Sequence, residues 1–379
     1  MPKPIYLDYN ATTPHDPEVI AAMRPFFEEE FGNPSSSHYY GAKPKQAVIK
    51  AREQVAFLLN GQPEEIIFTS GGTESNNFAI KGCAQSLHHK GNHIITSQIE
   101  HPAVLEVCHF LETEGFEITY LPVDEFGLVS AADVAAAVKK QTILISVMHA
   151  NNEVGTVEPI TEIAQLAKKH GIALHTDAAQ SVGKIPVDVN QLGVDLLSIA
   201  GHKVYAPKGV GALFMRKGVS LEPFMHGAGQ ESGRRAGTEN TAYYVGLGAA
   251  MELAGRMMPR ESSRQQSLRD RLYEGLKAQS SESVLAGDLE QRLPNTVNVC
   301  FPGLSGTKIL EGAPEVWAST GAACHAGSEK ASSVLTAMGL DPEVALGAIR
   351  LTVGRGTTEE DVDRAVDALI RSVRALRGA

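Results

Sequence analysis

An aspartate and a lysine at the ends of two apolar runs are the residues whose chemistry organises this sequence. Asp177 closes the run that starts at Ile172, and Lys203 follows the run Val194 to Ile199 after a short Ala200-Gly201-His202 turn. Both runs are short, largely apolar and closed by small polar residues, the pattern of strands buried in a parallel α/β sheet. The acid and the amine therefore fall just beyond two strand ends, on the edge where open α/β sheets hold ligands. Such a pair suits pyridoxal 5'-phosphate (PLP). An amine condenses with its aldehyde, and a carboxylate keeps its ring nitrogen protonated, so that the ring accepts electrons. Gln180, three residues after Asp177, is placed to reach the ring hydroxyl. A surface lysine and a helix-capping aspartate would explain either residue alone; the arrangement as a whole favours the cofactor.

Further candidates lie along the chain. Ile66 to Thr69 reads as a strand, Ser70 to Thr73 as a turn and Glu74 onward as a helix. A glycine-rich turn opening a helix offers free N–H groups and a favourable dipole to an anion. The stretch is neither a Walker loop nor GxGxxG. Cys324 lies in WASTGAACHAGSEKASSVL, among residues that form little core. An exposed glycine-rich loop suits a nucleophilic thiol, which needs access and a thiolate. Cys300 in VNVCF, and Cys83 and Cys108 in helical stretches, read instead as buried and inert. His101, at a turn before Pro102, reads by itself as a structural or exposed histidine. Turn chemistry alone accounts for Asn151-Asn152, and Arg350 alone reads as a surface charge at a strand edge.

HTDAAQ followed by GHKVYAPKGVGAL resembles the cysteine desulfurases of the NifS/IscS type and the related selenocysteine lyases, which are fold-type I PLP enzymes. The resemblance runs from LDYNATTP near residue 7 to IRLTVGRGTT near residue 358. It implies that Gly72 and Thr73 bind the PLP phosphate, that His202 and Lys203 belong to the cofactor set, and that His101 stacks on the ring and moves protons. It makes Asn152 a cofactor or substrate contact. Arg350 becomes the bidentate partner of the substrate carboxylate, for which a planar guanidinium is suited. Thr238, in the GTEN motif, would reach the phosphate held by a neighbouring subunit, which implies a homodimer. STGAACHAG resembles the family's catalytic loop. Cys324 would then take sulfur from L-cysteine as a persulfide and pass it to an acceptor, such as an iron–sulfur scaffold or a tRNA-thiolation protein. Two departures stand out. Ala200 replaces a serine that often faces the phosphate, and His325 follows the cysteine; both look more like the selenocysteine lyase branch. The expected activity is cysteine desulfurase, with selenide release from L-selenocysteine as the alternative. A transaminase would share Lys203 and Asp177 but has no use for a mobile cysteine.

The elements that must carry these residues follow from length and composition. A chain of 379 residues, 43% hydrophobic and 21% charged, has the make-up of an ordinary globular protein with a sizeable core. The resemblance implies a mostly parallel central sheet flanked by helices, with a smaller α+β domain. The composition turns polar and charged around Pro259. The expected division is a large PLP-binding domain over 16–258, and a small domain from 1–15 and 259–379 that carries the Cys324 loop. A net charge of −10 argues against nucleic-acid binding. No apolar run is long enough for a signal peptide or a membrane span, so a cytoplasmic protein is expected. Four cysteines form no disulfide framework, and with no CxxC or HExxH no metal site is expected.

Overall fold

The computed structural model describes residues 4–320, 323–325 and 328–378; the side chains of 321–329 lie outside the description. Seven strands form the central sheet: β1 (Ile66–Thr69), β2 (His93–Ser97), β3 (Glu117–Leu121), β4 (Thr142–Ser146), β5 (Ala173–Asp177), β6 (Leu196–Ala200) and β7 (Gly211–Met215). Their spatial order is β1-β7-β6-β5-β4-β2-β3. Only β7 runs against its neighbours, β1 and β6; the remaining pairs are parallel, which gives the mostly parallel sheet expected of the family.

Every residue of β1, β2, β4, β6 and β7 is buried, so these strands are covered on both faces. Side chains alternate between two clusters. Leu197 and Ile199 join one, with Phe68 and Phe214, while Leu196 joins the other, with Ile67 and Leu213. Period-2 alternation with both faces apolar produces the near-continuous hydrophobic runs read in the sequence. The parallel pairing also brings the C-terminal ends of β1, β2, β4, β5 and β6 to one edge.

A second, four-stranded antiparallel sheet has the order 319–320, 348–352, 296–300 and 284–286. It packs in its own cluster with Ile5 and Leu7 from the N-terminus and with the amphipathic helix Glu359–Gly378. The helix Thr241–Gln279 joins the two bodies. Its early residues Tyr244, Leu247 and Met251 pack in a cluster of the large sheet, and its late residues Leu268, Leu272 and Leu276 pack with the small one. The helix runs unbroken past Pro259, where the composition shifts.

FGNPSSSHYYGAKPK has the glycine, serine and proline content of a loop, yet the helix Tyr39–Leu59 already begins inside it and contains Pro44. Gly41 and Pro44 are both buried there, so packing overrides their weak helix propensity. Cys83, Cys108 and Cys300 are free and buried, as read. No described helix is long and apolar enough to cross a membrane.

Leu197 is wholly buried in the middle of the sheet. Leu197→Ala should therefore destabilise the protein by about 2–5 kcal/mol, measured by urea unfolding, whereas Ile20→Ala on the exposed face of helix Pro17–Met23 should cost under about 0.5 kcal/mol.

Candidate active site

A cavity of about 450 Å³ opens at the C-terminal edge of the large sheet. Its lining gathers Gly72, Thr73, His101, Asn152, Asp177, Gln180, His202, Lys203 and Arg350. Eight of these lie at or just past the ends of β1, β2, β4, β5 and β6, and Arg350 enters from the small sheet.

Asp177 ends β5 directly opposite Ser198 of β6. Its carboxylate is buried and doubly held. Oδ1 accepts the Ala179 N–H at 2.9 Å, and Oδ2 accepts from Asn76 Nδ2 at 2.6 Å. Lys203 sits in a single 3₁₀ turn, Gly201–Lys203, immediately after β6. Its Nζ donates to the backbone carbonyls of Asn10 at 2.5 Å and Ala11 at 2.8 Å. Burial pushes the Lys203 pKa down to about 8, helped by the Arg350 cation and opposed by Asp177 and Asp8. Desolvation disfavours the charged amine, so this lysine reaches its nucleophilic, basic form far more readily than a surface one.

The histidines divide their roles. His101 is the N-cap of helix Pro102–Thr113, and its Nδ1 accepts the Ala103 N–H at 3.1 Å. A neutral ring so bonded carries its proton on Nε2. Desolvation lowers the His101 pKa, Asp177 opposing and Lys203 assisting. His202 is pushed down to about 4, chiefly by burial and then by Lys203, so it stays neutral, with Nδ1 3.2 Å from Thr12 Oγ1.

The glycine turn after β1 is built as an anion cradle requires. Gly71 caps the helix Gly72–Leu87 at φ 151°, a conformation open to glycine. The first N–H groups of that helix lack intrahelical acceptors. A Cβ at Gly72 would stand 3.1 Å from the Ala200 Cβ, so residue 200 lies against the turn and presents a methyl where a serine would present a hydroxyl. Arg235 ties the following loop to this helix, bonding Glu74 at 2.8 and 3.2 Å. Thr238, three residues on, is exposed and does not line the cavity.

Arg350 donates from Nη2 to Asp8 Oδ1 at 2.8 Å and from Nη1 to the Asn152 carbonyl at 3.3 Å. Its Nε is buried with no acceptor among the described residues. Cys324 falls on a short strand, Ala323–His325, paired antiparallel with Ser328–Lys330. Its thiol and the His325 ring lie outside the described residues.

Three residues escaped the sequence reading. Asn76 holds Asp177, Asn10 receives Lys203, and Lys184 bonds both Asn10 and Gln180. Each is a polar residue in an unremarkable local pattern. Only the position of Asn10 inside LDYNATTP carries a signal.

The fold and this edge site define an α/β enzyme with a lysine of lowered pKa near a buried carboxylate, and comparison with known proteins gives its family. The aminotransferase class-V profile matches residues 5–365. A protein of Dictyoglomus turgidum named cysteine desulfurase IscS is 52% identical over 382 aligned residues, covering 100% of this chain and 96% of its own. One of the same name from Methanosarcina thermophila is 49% identical, covering 99% and 93%. Among solved structures, a NifS-like protein superposes with a TM-score of 0.92 at 38% identity, covering 99% of this chain and 100% of its own. SspA in complex with cysteine gives 0.82 at 41%, covering 92% and 98%. The chain belongs to the class-V aminotransferase family, on the branch of the NifS/IscS-type cysteine desulfurases.

The lowered Lys203 pKa has a direct readout. In the cofactor-free chain, acylation of Lys203 by an amine-directed reagent, followed by peptide mass spectrometry, should rise with a midpoint near pH 8. Lys43, whose pKa is raised by its bond to Glu30, should be acylated only at much higher pH.

Proposed function

We propose that this chain is a PLP-dependent cysteine desulfurase that converts L-cysteine to L-alanine and holds the sulfur as a persulfide on Cys324. The observation that carries the reading is the convergence of Lys203, Asp177, His101 and Arg350 on one cavity, in a chain half identical to proteins named cysteine desulfurase. That name, and the cysteine bound to SspA, favour cysteine over selenocysteine despite Ala200 and His325.

The donor set fits PLP. The Gly72 and Thr73 N–H groups would take the phosphate, with Thr238 of a neighbouring subunit completing it. The exposure of Thr238 away from the cavity supports that composite, homodimeric arrangement. Asp177 would hold the ring nitrogen, with Asn76 and Ala179 fixing the carboxylate. Asn76 Oδ1 is a buried acceptor with no partner among the described residues, and Asn76 lines this cavity. Gln180 would lie at the ring hydroxyl, with His101 over the ring and His202 beside it. Bound there, PLP would supply an electron sink for the pair left on Cα when its proton departs.

The remaining steps fall to the protein's own side chains. Arg350 binds the substrate carboxylate, which would satisfy the bare Nε. Asn152 closes the same side, since its carbonyl already holds the guanidinium. Lys203, once its amine is free, removes the Cα proton; an amine with a pKa of about 8 is well matched to that task near neutral pH. His101 holds a proton on Nε2 for exchange at the mouth of the cavity. The Cys324 thiolate attacks the substrate sulfur. The carbon–sulfur bond breaks as the sulfur–sulfur bond forms, its electron pair stays with Cβ, and proton return to Cβ and Cα releases alanine while the persulfide remains for an acceptor protein. We place the domain division at 258/259 within the joining helix, with the Cys324 loop on the smaller body; the two separate packing clusters support it.

The test quantifies alanine and reduced sulfur or selenium from L-cysteine and L-selenocysteine, with the parent protein and Cys324→Ala. The reading expects cysteine turnover in the parent and its loss in Cys324→Ala, which should keep the yellow cofactor colour. Turnover confined to selenocysteine would overturn it in favour of a lyase. Lys203→Ala should lose both colour and turnover, a fall of at least ~10²–10⁴-fold. Arg350→Lys should raise the cysteine KM about 10–100-fold, because hydrogen bonds to charged groups are worth about 1.5–3 kcal/mol.

A further inference from the structure

Lys184 lies four residues beyond Gln180, in the irregular turn that follows β5, and no catalytic role draws on it. Its Nζ is aimed at two amide oxygens. It donates to Gln180 Oε1 at 2.7 Å and to Asn10 Oδ1 at 3.0 Å. Asn10 is almost fully buried, and every polar atom of its side chain is engaged. Oδ1 also accepts from Asn295 at 3.0 Å, while Nδ2 donates to the Asn152 carbonyl at 3.1 Å and to Thr296 Oγ1 at 2.9 Å. Its backbone carbonyl accepts Lys203 Nζ at 2.5 Å and Gln180 Nε2 at 3.0 Å. Two lysines thus converge on one asparagine, one through its side chain and one through its backbone.

We infer that Lys184 is a positioning residue: by bridging Asn10 and Gln180 it fixes the carbonyl that holds the Lys203 amine. This rests on reading Lys203 as the reactive amine. The physical need is plain. A lysine amine swings on a flexible four-carbon stem. A misplacement of about 1 Å at a reacting group can cost ~10²-fold in rate. The Asn10 carbonyl defines the place of that amine only if Asn10 itself cannot turn. Lys184 and Asn295 are the two donors that keep Oδ1 on its side of the amide. Burial, with the nearby Lys203 and Arg350 charges, lowers the Lys184 pKa well below the usual lysine range.

The test uses the full-length, PLP-loaded protein with Lys184→Met and Lys184→Arg. Three quantities are read: far-ultraviolet circular dichroism for folding, the induced circular dichroism of the visible cofactor band for geometry at Lys203, and kcat and KM for L-cysteine. Lys184→Met is expected to keep the far-ultraviolet spectrum and to lose at least half of the induced visible signal. Its kcat should fall about tenfold, within the misplacement cost above, with KM within about twofold. Lys184→Arg should recover part of both. Parent-like induced signal and kcat in Lys184→Met would overturn the inference, even if thermal stability fell. Should Lys184→Met not fold, Asn10→Ala takes its place and must show the same loss of induced signal. If the parent fails to use cysteine while the induced signal still depends on Lys184, the desulfurase reading falls and the positioning role stands.

Discussion

The site depends on keeping an amine in a place that disfavours its charge. Lys203 stands in a partly desolvated cavity beside the Arg350 cation, and two backbone carbonyls, with Asp177 and Asp8 at longer range, offset the cost. The balance leaves the amine with a pKa of about 8, so it gives up its proton far more readily than an ordinary lysine. Too little burial would restore an ordinary, fully protonated lysine; too few acceptors would leave it unanchored. The rest of the fold serves this balance. The parallel sheet brings β5 and β6 side by side and sets the acid beside the amine. The N-terminal segment crosses from the small sheet to supply the carbonyls of Asn10 and Ala11.

The same crossing couples the two bodies. Asn10 donates its N–H to Thr352 and its side chain to Thr296, both in the small sheet, while its carbonyl faces Lys203 of the large one. Arg350, also in the small sheet, is held by Asp8 of this segment and by the Asn152 carbonyl of the loop after β4. Substrate binding and proton transfer are therefore assigned to groups in different bodies that share a buried polar network. Such networks gain rigidity when every member is satisfied. Arg350 Nε and Asn76 Oδ1 have no partners among the described residues, and they are the points where a ligand would complete it.

Much of this was legible in the sequence because catalytic residues of an α/β fold sit next to strand ends, and strand ends are readable. Asp177, Lys203 and the Ser70–Thr73 turn each follow a short apolar run, so their edge position was a local inference. His101, Asn152 and Arg350 could be placed only through the family resemblance, since turn chemistry or surface charge explained each equally well. Asn10, Asn76 and Lys184 were missed for a different reason. Their roles consist of contacts with residues far along the chain: Asn76 reaches Asp177, and Asn10 reaches Lys203. No local pattern encodes such a pairing. The helix Tyr39–Leu59 shows the opposite failure, a proline- and glycine-rich stretch made helical by burial that the sequence does not display.

The account makes Cys324 the carrier of the substrate's sulfur. The most direct measurement is peptide mass spectrometry of the PLP-loaded protein after brief exposure to L-cysteine, with no acceptor or reductant and with alkylation to trap thiols. The account predicts one added sulfur atom on the peptide containing Cys324, in step with alanine release. It predicts none on the peptides containing the buried Cys83, Cys108 and Cys300. Alanine release with Cys324 left as an unmodified thiol would contradict it.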